Sequence, residues 1–229
     1  MKATSKHAVL DAFRVAAAFL VVAIHVSPLQ TIDATADFII TRIAARVAVP
    51  FFLMISGYFL EIRENGGDRR HFRSFLKKTA IVYGAAIVIY LPLNYYTGYF
   101  NISPLQMLKD IFFNGTFYHL WYLPAVLLGA LIVIPLWRRF GWRFTLVLAA
   151  VLYVIGLGGD SYYGLVLRIP ALKVFYDVVF SISDYTRNGV FLAPVFIMMG
   201  VGFADQNKRR STSRRRKFII GLAVSAALL

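Results

Sequence analysis

AVLDAFRVAAAFLVVAIHVSPL, residues 8–29, decides what kind of protein this is. A membrane-crossing helix needs about 20 mainly apolar residues, and this run supplies them while carrying only Asp11, Arg14 and His25 as ionisable side chains. Arg14 interrupts the apolar stretch and no small-residue cleavage pattern follows Pro28, so the run reads as a retained first span rather than a removable leader. Working outward, five more stretches meet or approach the same requirement: residues 38–60, 79–96, 118–137, 144–158 and 189–204. A seventh opens at Phe218 and is cut short at Leu229. Residues 162–183 are apolar but divided by Arg168, Pro170, Lys173 and Asp177, which marks an interfacial or re-entrant piece. The expectation is an all-α, polytopic transmembrane bundle of six full spans plus a truncated seventh, forming one membrane domain over residues 1–229.

Composition agrees. The 229 residues are 59% hydrophobic and 16% charged, with a mean hydropathy of +0.66, whereas soluble domains carry about 25% charged residues. The net charge of +14 is not a nucleic-acid signature, because the Lys and Arg are gathered between the apolar runs. Eighteen of the 25 basic residues fall in alternate segments: Lys2 and Lys6, the loop from Arg63 to Lys78, the turn with Arg138, Arg139 and Arg143, and the run from Lys208 to Lys217. The opposite segments hold Lys109, Arg168, Lys173 and Arg187. By the positive-inside rule the N-terminus is cytoplasmic, and the basic loops face anionic lipid. The absence of Cys excludes disulfides and thiolate chemistry. The four His form no short-range ligand pair, so no metal is expected.

Charges inside a span cost about 2.5 to 3.5 kcal/mol each on insertion scales, so each needs a partner, a cavity or a function. Arg14 and His25 are eleven residues apart and share one face of the first helix, separated by roughly 16 Å along it. Arg14 has two readings: a snorkelling cation paired with Asp11 at i, i+3, or a binding group. His25 likewise is either a packing residue or a base. Arg42 and Arg46 share a face of the second span at about the depth of His25. A neutral imidazole takes a proton from an attacking hydroxyl, and guanidinium groups hold phosphate or a developing oxyanion. No carboxylate is comparably placed in the six spans, so a paired-carboxylate mechanism is unsupported. Trp121 and Tyr122 read as an aromatic belt or as a stacking surface for a sugar, and His119 as an interfacial residue or a polar contact in the same pocket. Ser56 and Gly57 read as small-residue helix packing.

Four blocks carry a family resemblance. LDAFRVAAAFLVVAIHVSP (residues 10–28) resembles the first helix of the acyltransferase-3 family, whose hallmark is an Arg and a His separated by ten residues, here Arg14 and His25. RVAVPFFLMISGYFL (46–60) is similar to the family's second-helix motif. HLWYLPAVLLGAL (119–131) and TRNGVFLAPVFIMMG (186–200) resemble later blocks of its bacterial sugar O-acetyltransferase branch and of the membrane domain of vancomycin-resistance serine racemases. The resemblance implies a bacterial inner-membrane O-acyltransferase with further C-terminal helices. Acetyl-CoA or another acyl-CoA would be its cytoplasmic donor, and a cell-envelope glycan or lipid-linked saccharide its acceptor, with no nucleic acid. It makes His25 the catalytic base or acyl relay and places Arg14 and Arg46 toward the donor. Arg42, His119, Trp121 and Tyr122 are left on the acceptor side. The competing expectation is a transporter or binding module, such as the serine-uptake domain of a racemase-like protein.

Overall fold

The computed structural model describes residues 8–63 and 69–209, and among these it is helical with no strand. The run from Lys208 onward leaves the described residues after Arg209, and the seventh apolar stretch from Phe218 lies outside them, as do Lys2, Lys6 and the start of the basic loop after Arg63.

Helix α1 (Ala8–Val26) stops where Ser27 takes a left-handed φ of 45° and Pro28 removes the next amide donor. Asp33 then caps α2 (Ala34–Phe38), its Oδ1 accepting from the amides of Thr35 and Ala36 at 2.8 and 3.0 Å. The chain does not continue as a regular helix. It widens into a π turn over Ile39–Ile43, tightens into a 3₁₀ turn over Ala44–Val47, and becomes α3 (Ala48–Arg63). After α4 (Arg69–Tyr96), a short α5 (Pro104–Lys109) and a second π turn (Asp110–Asn114) lead to a loop and then to α6 (Tyr122–Gly159). Residues 118–121, which hydropathy assigns to the fourth span, form a turn instead. Beyond α6 come α7 (Tyr163–Val166), α8 (Pro170–Ile182) and α9 (Ala193–Arg209).

Four helices are long and apolar enough to cross a membrane: Ala8–Val26, Ala34–Glu61, Arg70–Tyr96 and Tyr122–Gly159, with Ala193–Asp205 a shorter apolar one. The 38 residues of α6 would reach about 57 Å if straight, nearly twice the hydrocarbon core. They do not run straight. Gly141 breaks the helix at φ 82°, ψ 173°. Both ends of α6 meet the residues leading into α9: Gly189 lies against Ala125 and Leu128, and Gly156 against Phe191. The segment therefore doubles back at Gly141.

The core lies between α3, α6 and α9, where Leu53, Met54, Val133, Ile134, Phe196, Ile197 and Val201 are almost fully buried. Ala17 of α1 packs against Ala48, Phe51 and Ile55 in a second cluster. By contrast Phe19 and Val22 of α1 and Val88 and Ile89 of α4 are exposed, the surface expected of helices solvated by lipid chains.

Candidate functional site

Phe13 meets Phe51 edge-on at 4.5 Å and Arg14 lies over Phe59, while Leu29 beyond the other end of α1 reaches Asp37, so α1 runs antiparallel to the α2–α3 unit. Along its length α1 packs against both irregular turns, and His25 lies in its last turn, at the end nearer Asp37. The end of α1 is tied there by Asp37. This carboxylate is 3% exposed and accepts the Leu29 amide at 3.0 Å, clamping the turn that follows His25. Hydropathy starts the second span at Phe38, which leaves the spans without a carboxylate at the depth of His25. The helix begins four residues earlier and buries one.

On the other side of His25 stands the loop before α6. The His25 ring meets Tyr118 at 5.5 Å and His119 at 5.6 Å between centroids, both edge to face. His119 Nε2 lies 2.7 Å from the hydroxyl of Tyr90 on α4, and Phe117 stacks on the Tyr90 ring at 5.1 Å. Burial, and secondarily the neighbouring His25, hold the His119 imidazole below the usual histidine range. The loop takes this path because Gly115 has φ 82°, where a Cβ would stand 2.5 Å from the Trp121 amide nitrogen.

The loop is anchored by a polar network that the spacing of residues does not announce. Asp110 accepts from the Tyr99 hydroxyl (3.0 Å), Gln106 (3.0 Å) and Asn114 (2.8 Å). Asn114 in turn accepts from Ser183 Oγ, the Asp184 amide and the Tyr185 hydroxyl. Asn188 closes the network on Ser183 and caps the chain entering α9 through the amides of Val190 and Phe191. Burial and then Asp110 push the Tyr99 phenol upward. Burial, opposed by Arg187, pushes Tyr185 up to about 12. Both phenols stay protonated donors at neutral pH.

The arginines expected at the site stand apart from this cluster. Arg42 sits in the π turn and Arg46 in the 3₁₀ turn, both exposed, and among the described residues neither makes an ion pair. Arg14, near the opposite end of α1 from His25, pairs with Asp11 at 3.0 Å and lies 4.5 Å over the Phe59 ring. Trp121 and Tyr122 are half-buried and pack against the core, Tyr122 beside Phe52. The structure thus brings His25 and His119 together and adds Tyr90, Tyr118 and Asp37. A tyrosine near the end of an apolar span resembles any interfacial aromatic, so nothing in the spacing singles out Tyr90. Among the described residues there is no cluster of three or more metal-ligating side chains.

Sequence comparison places these residues among relatives. The acyltransferase domain of the acyltransferase-3 family matches residues 7–229. An amino-acid racemase from Enterococcus faecalis is 48% identical over 202 residues, covering 87% of this chain and 28% of that protein. A serine/alanine racemase from Enterococcus gallinarum is 40% identical over 230 residues, covering 96% of the chain and 33% of the relative. A second amino-acid racemase of Enterococcus faecalis is 39% identical over 231 residues, with the same coverage of 96% and 33%. The chain spans about a third of the length of these curated relatives. No solved structure matches it.

Proposed function

The chain belongs to the acyltransferase-3 family of integral membrane proteins, and from that premise we propose that it transfers an acetyl group from cytoplasmic acetyl-CoA to a hydroxyl of a cell-envelope glycan or lipid-linked sugar. The observation that carries this reading is the convergence of His25 with His119 at the end of α1 remote from Arg14. In the reaction the acceptor oxygen attacks the thioester carbonyl as His25 takes its proton, the C–S bond breaks, and the proton passes to the departing thiolate. Arg14 and Arg46 bind the donor's phosphates or thioester. Arg42, His119, Trp121 and Tyr122 serve the acceptor side. The N-terminus is cytoplasmic in the plasma membrane, and there are six crossings: α1, the irregular α2–α3 unit, α4, each half of α6, and α9.

A second reading is favoured by the relatives. Their names are those of racemases, and the chain corresponds to about a third of each. It would then be the membrane module of a larger racemase-like protein, supplying serine to an attached domain.

Full-length protein in proteoliposomes separates the two. Acetyl-CoA consumption coupled to O-acetylation supports the first, and accumulation of labelled serine without thioester loss supports the second. In the first, His25→Gln lowers transfer by at least about 100-fold with donor affinity near wild type, because an amide replaces a hydrogen bond but takes no proton. Substantial transfer by His25→Gln would make His25 a packing residue.

A further inference from the structure

We propose that Tyr90 is a positioning residue that fixes His119 as its Nδ1–H tautomer, making that imidazole a neutral hydrogen-bond donor beside His25. The assignment starts from the 2.7 Å contact between the Tyr90 hydroxyl and His119 Nε2. Either group could supply the proton in isolation. Among the described residues, however, the phenol has no other hydrogen-bond acceptor, and a tyrosine hydroxyl that is half-buried places its proton on the acceptor it has. Nε2 then accepts, and a neutral ring must carry its single proton on Nδ1.

The surroundings keep this arrangement from turning over. Phe117 stacks on Tyr90 with an interplanar angle of 25°, so the phenol cannot swing away without losing that contact. The His119 ring stands edge-on to Tyr90 at 4.8 Å, to Phe117 at 5.1 Å and to Tyr118 at 4.9 Å. A ring flip would carry Nε2 away from Tyr90 and leave the phenol without its acceptor. His25 stands 5.6 Å away at 61° with no hydrogen bond to His119 among the described residues, so the pair is not spent on itself. The desolvation that keeps His119 neutral also keeps Nδ1–H from becoming one of two acidic protons.

Resting on acyl transfer as the activity, the two imidazoles divide the work. His25 accepts the hydroxyl proton as the new C–O bond forms, and the carbonyl π electrons move onto oxygen. His119 Nδ1–H donates to that oxyanion and keeps its proton throughout. Collapse re-forms the carbonyl, breaks the C–S bond and sends the proton from His25 to the thiolate sulfur.

The test uses full-length protein labelled with ¹⁵N-histidine in lipid nanodiscs. Residues 1–229 contribute four His, and His119→Gln assigns the resonance. In the wild type, an unprotonated Nε2 and a protonated Nδ1 at His119 are expected. Tyr90→Phe should mix the tautomers and lower kcat roughly tenfold, short of the loss of an oxyanion donor itself, with KM for the acceptor little changed. A wild-type His119 protonated at Nε2 overturns the proposal without any variant having to fold. So does a Tyr90→Phe enzyme with wild-type kcat. If the wild type shows the expected tautomer but no acyl transfer, Tyr90 keeps its positioning role and the acyltransferase reading is the one that fails.

Discussion

Replacing Gly57 by Ala tests the packing that holds the bundle together. A Cβ built on Gly57 stands 2.0 Å from the Ile197 carbonyl oxygen, and one on Gly200 stands 1.9 Å from that of Met54. The obstacle is helix backbone on both sides, so α3 and α9 must part by about 1.5 Å to restore ordinary contact. A radial gap of about 0.5–1 Å already forfeits a quarter to a half of each dispersion well. The gap would open across Leu53, Met54, Phe196, Ile197 and Val201, all at most 2% exposed. The cost should reach the top of the overpacking range, about 3 kcal/mol, equivalent to a Tm lowered by about 6–12 °C in a chain of this size. Gly84 on α4 is the control, since its Cβ would meet nothing within 4 Å. Gly84→Ala should be neutral or gain up to about 1 kcal/mol from helix propensity. Thermal unfolding in detergent, followed by the fluorescence of Trp121, Trp137 and Trp142, reads both. If Gly57→Ala and Gly84→Ala melt within a degree or two of each other, the close crossing of α3 and α9 is wrong.

Two further expectations concern the site. His119 should titrate below the ordinary value of about 6.5, and His25→Gln should relieve only the smaller part of that depression, since burial is its larger cause; histidine NMR against pH measures both, and an ordinary titration of His119 would count against its placement. The folded protein binds this proton less readily than the unfolded chain, so its contribution to stability falls as pH drops through about 6.5 and levels off below the folded value. Asp37→Leu should leave the Leu29 amide without its acceptor and cost about 1–3 kcal/mol, while Asp37→Asn keeps an acceptor oxygen and most of the stability. Chemical denaturation that finds the two variants alike would dismiss the clamp.

Much of the architecture was readable because membrane helices advertise themselves by long apolar runs. α1 ends at Val26, three residues short of the stretch that hydropathy runs to Leu29, and the contact of Arg14 with Asp11 is the i, i+3 pair that its spacing offers. Gly57 proved to be a close-packing residue as its Ser-Gly neighbourhood suggested. His25 and His119 could each be placed near one end of an apolar run. Their approach across 94 positions of sequence depends on α1 and the loop before α6 packing on neighbouring helices, and periodicity holds no such information.

The second helix shows most clearly where hydropathy stops. IITRIAARV reads as ordinary apolar helix, because a window average registers side-chain polarity and not hydrogen-bond register. Yet the Ala44 amide reaches back to the Ile39 carbonyl, five residues away, and Thr41 Oγ1 returns a bond to the Asp37 carbonyl at 2.8 Å. These are backbone choices that leave hydropathy untouched. Asp37 holds the exit of α1 just before this irregular stretch, and Arg42 and Arg46 project from its π and 3₁₀ turns. A regular helix would fix the arginines by sequence spacing alone. Here their direction is set by two turns of different pitch, packed against the helix that carries His25. The irregularity therefore sets the direction of Arg42 and Arg46, and a substitution that restored regular α-helix through residues 39–47 would redirect both arginines without touching either one.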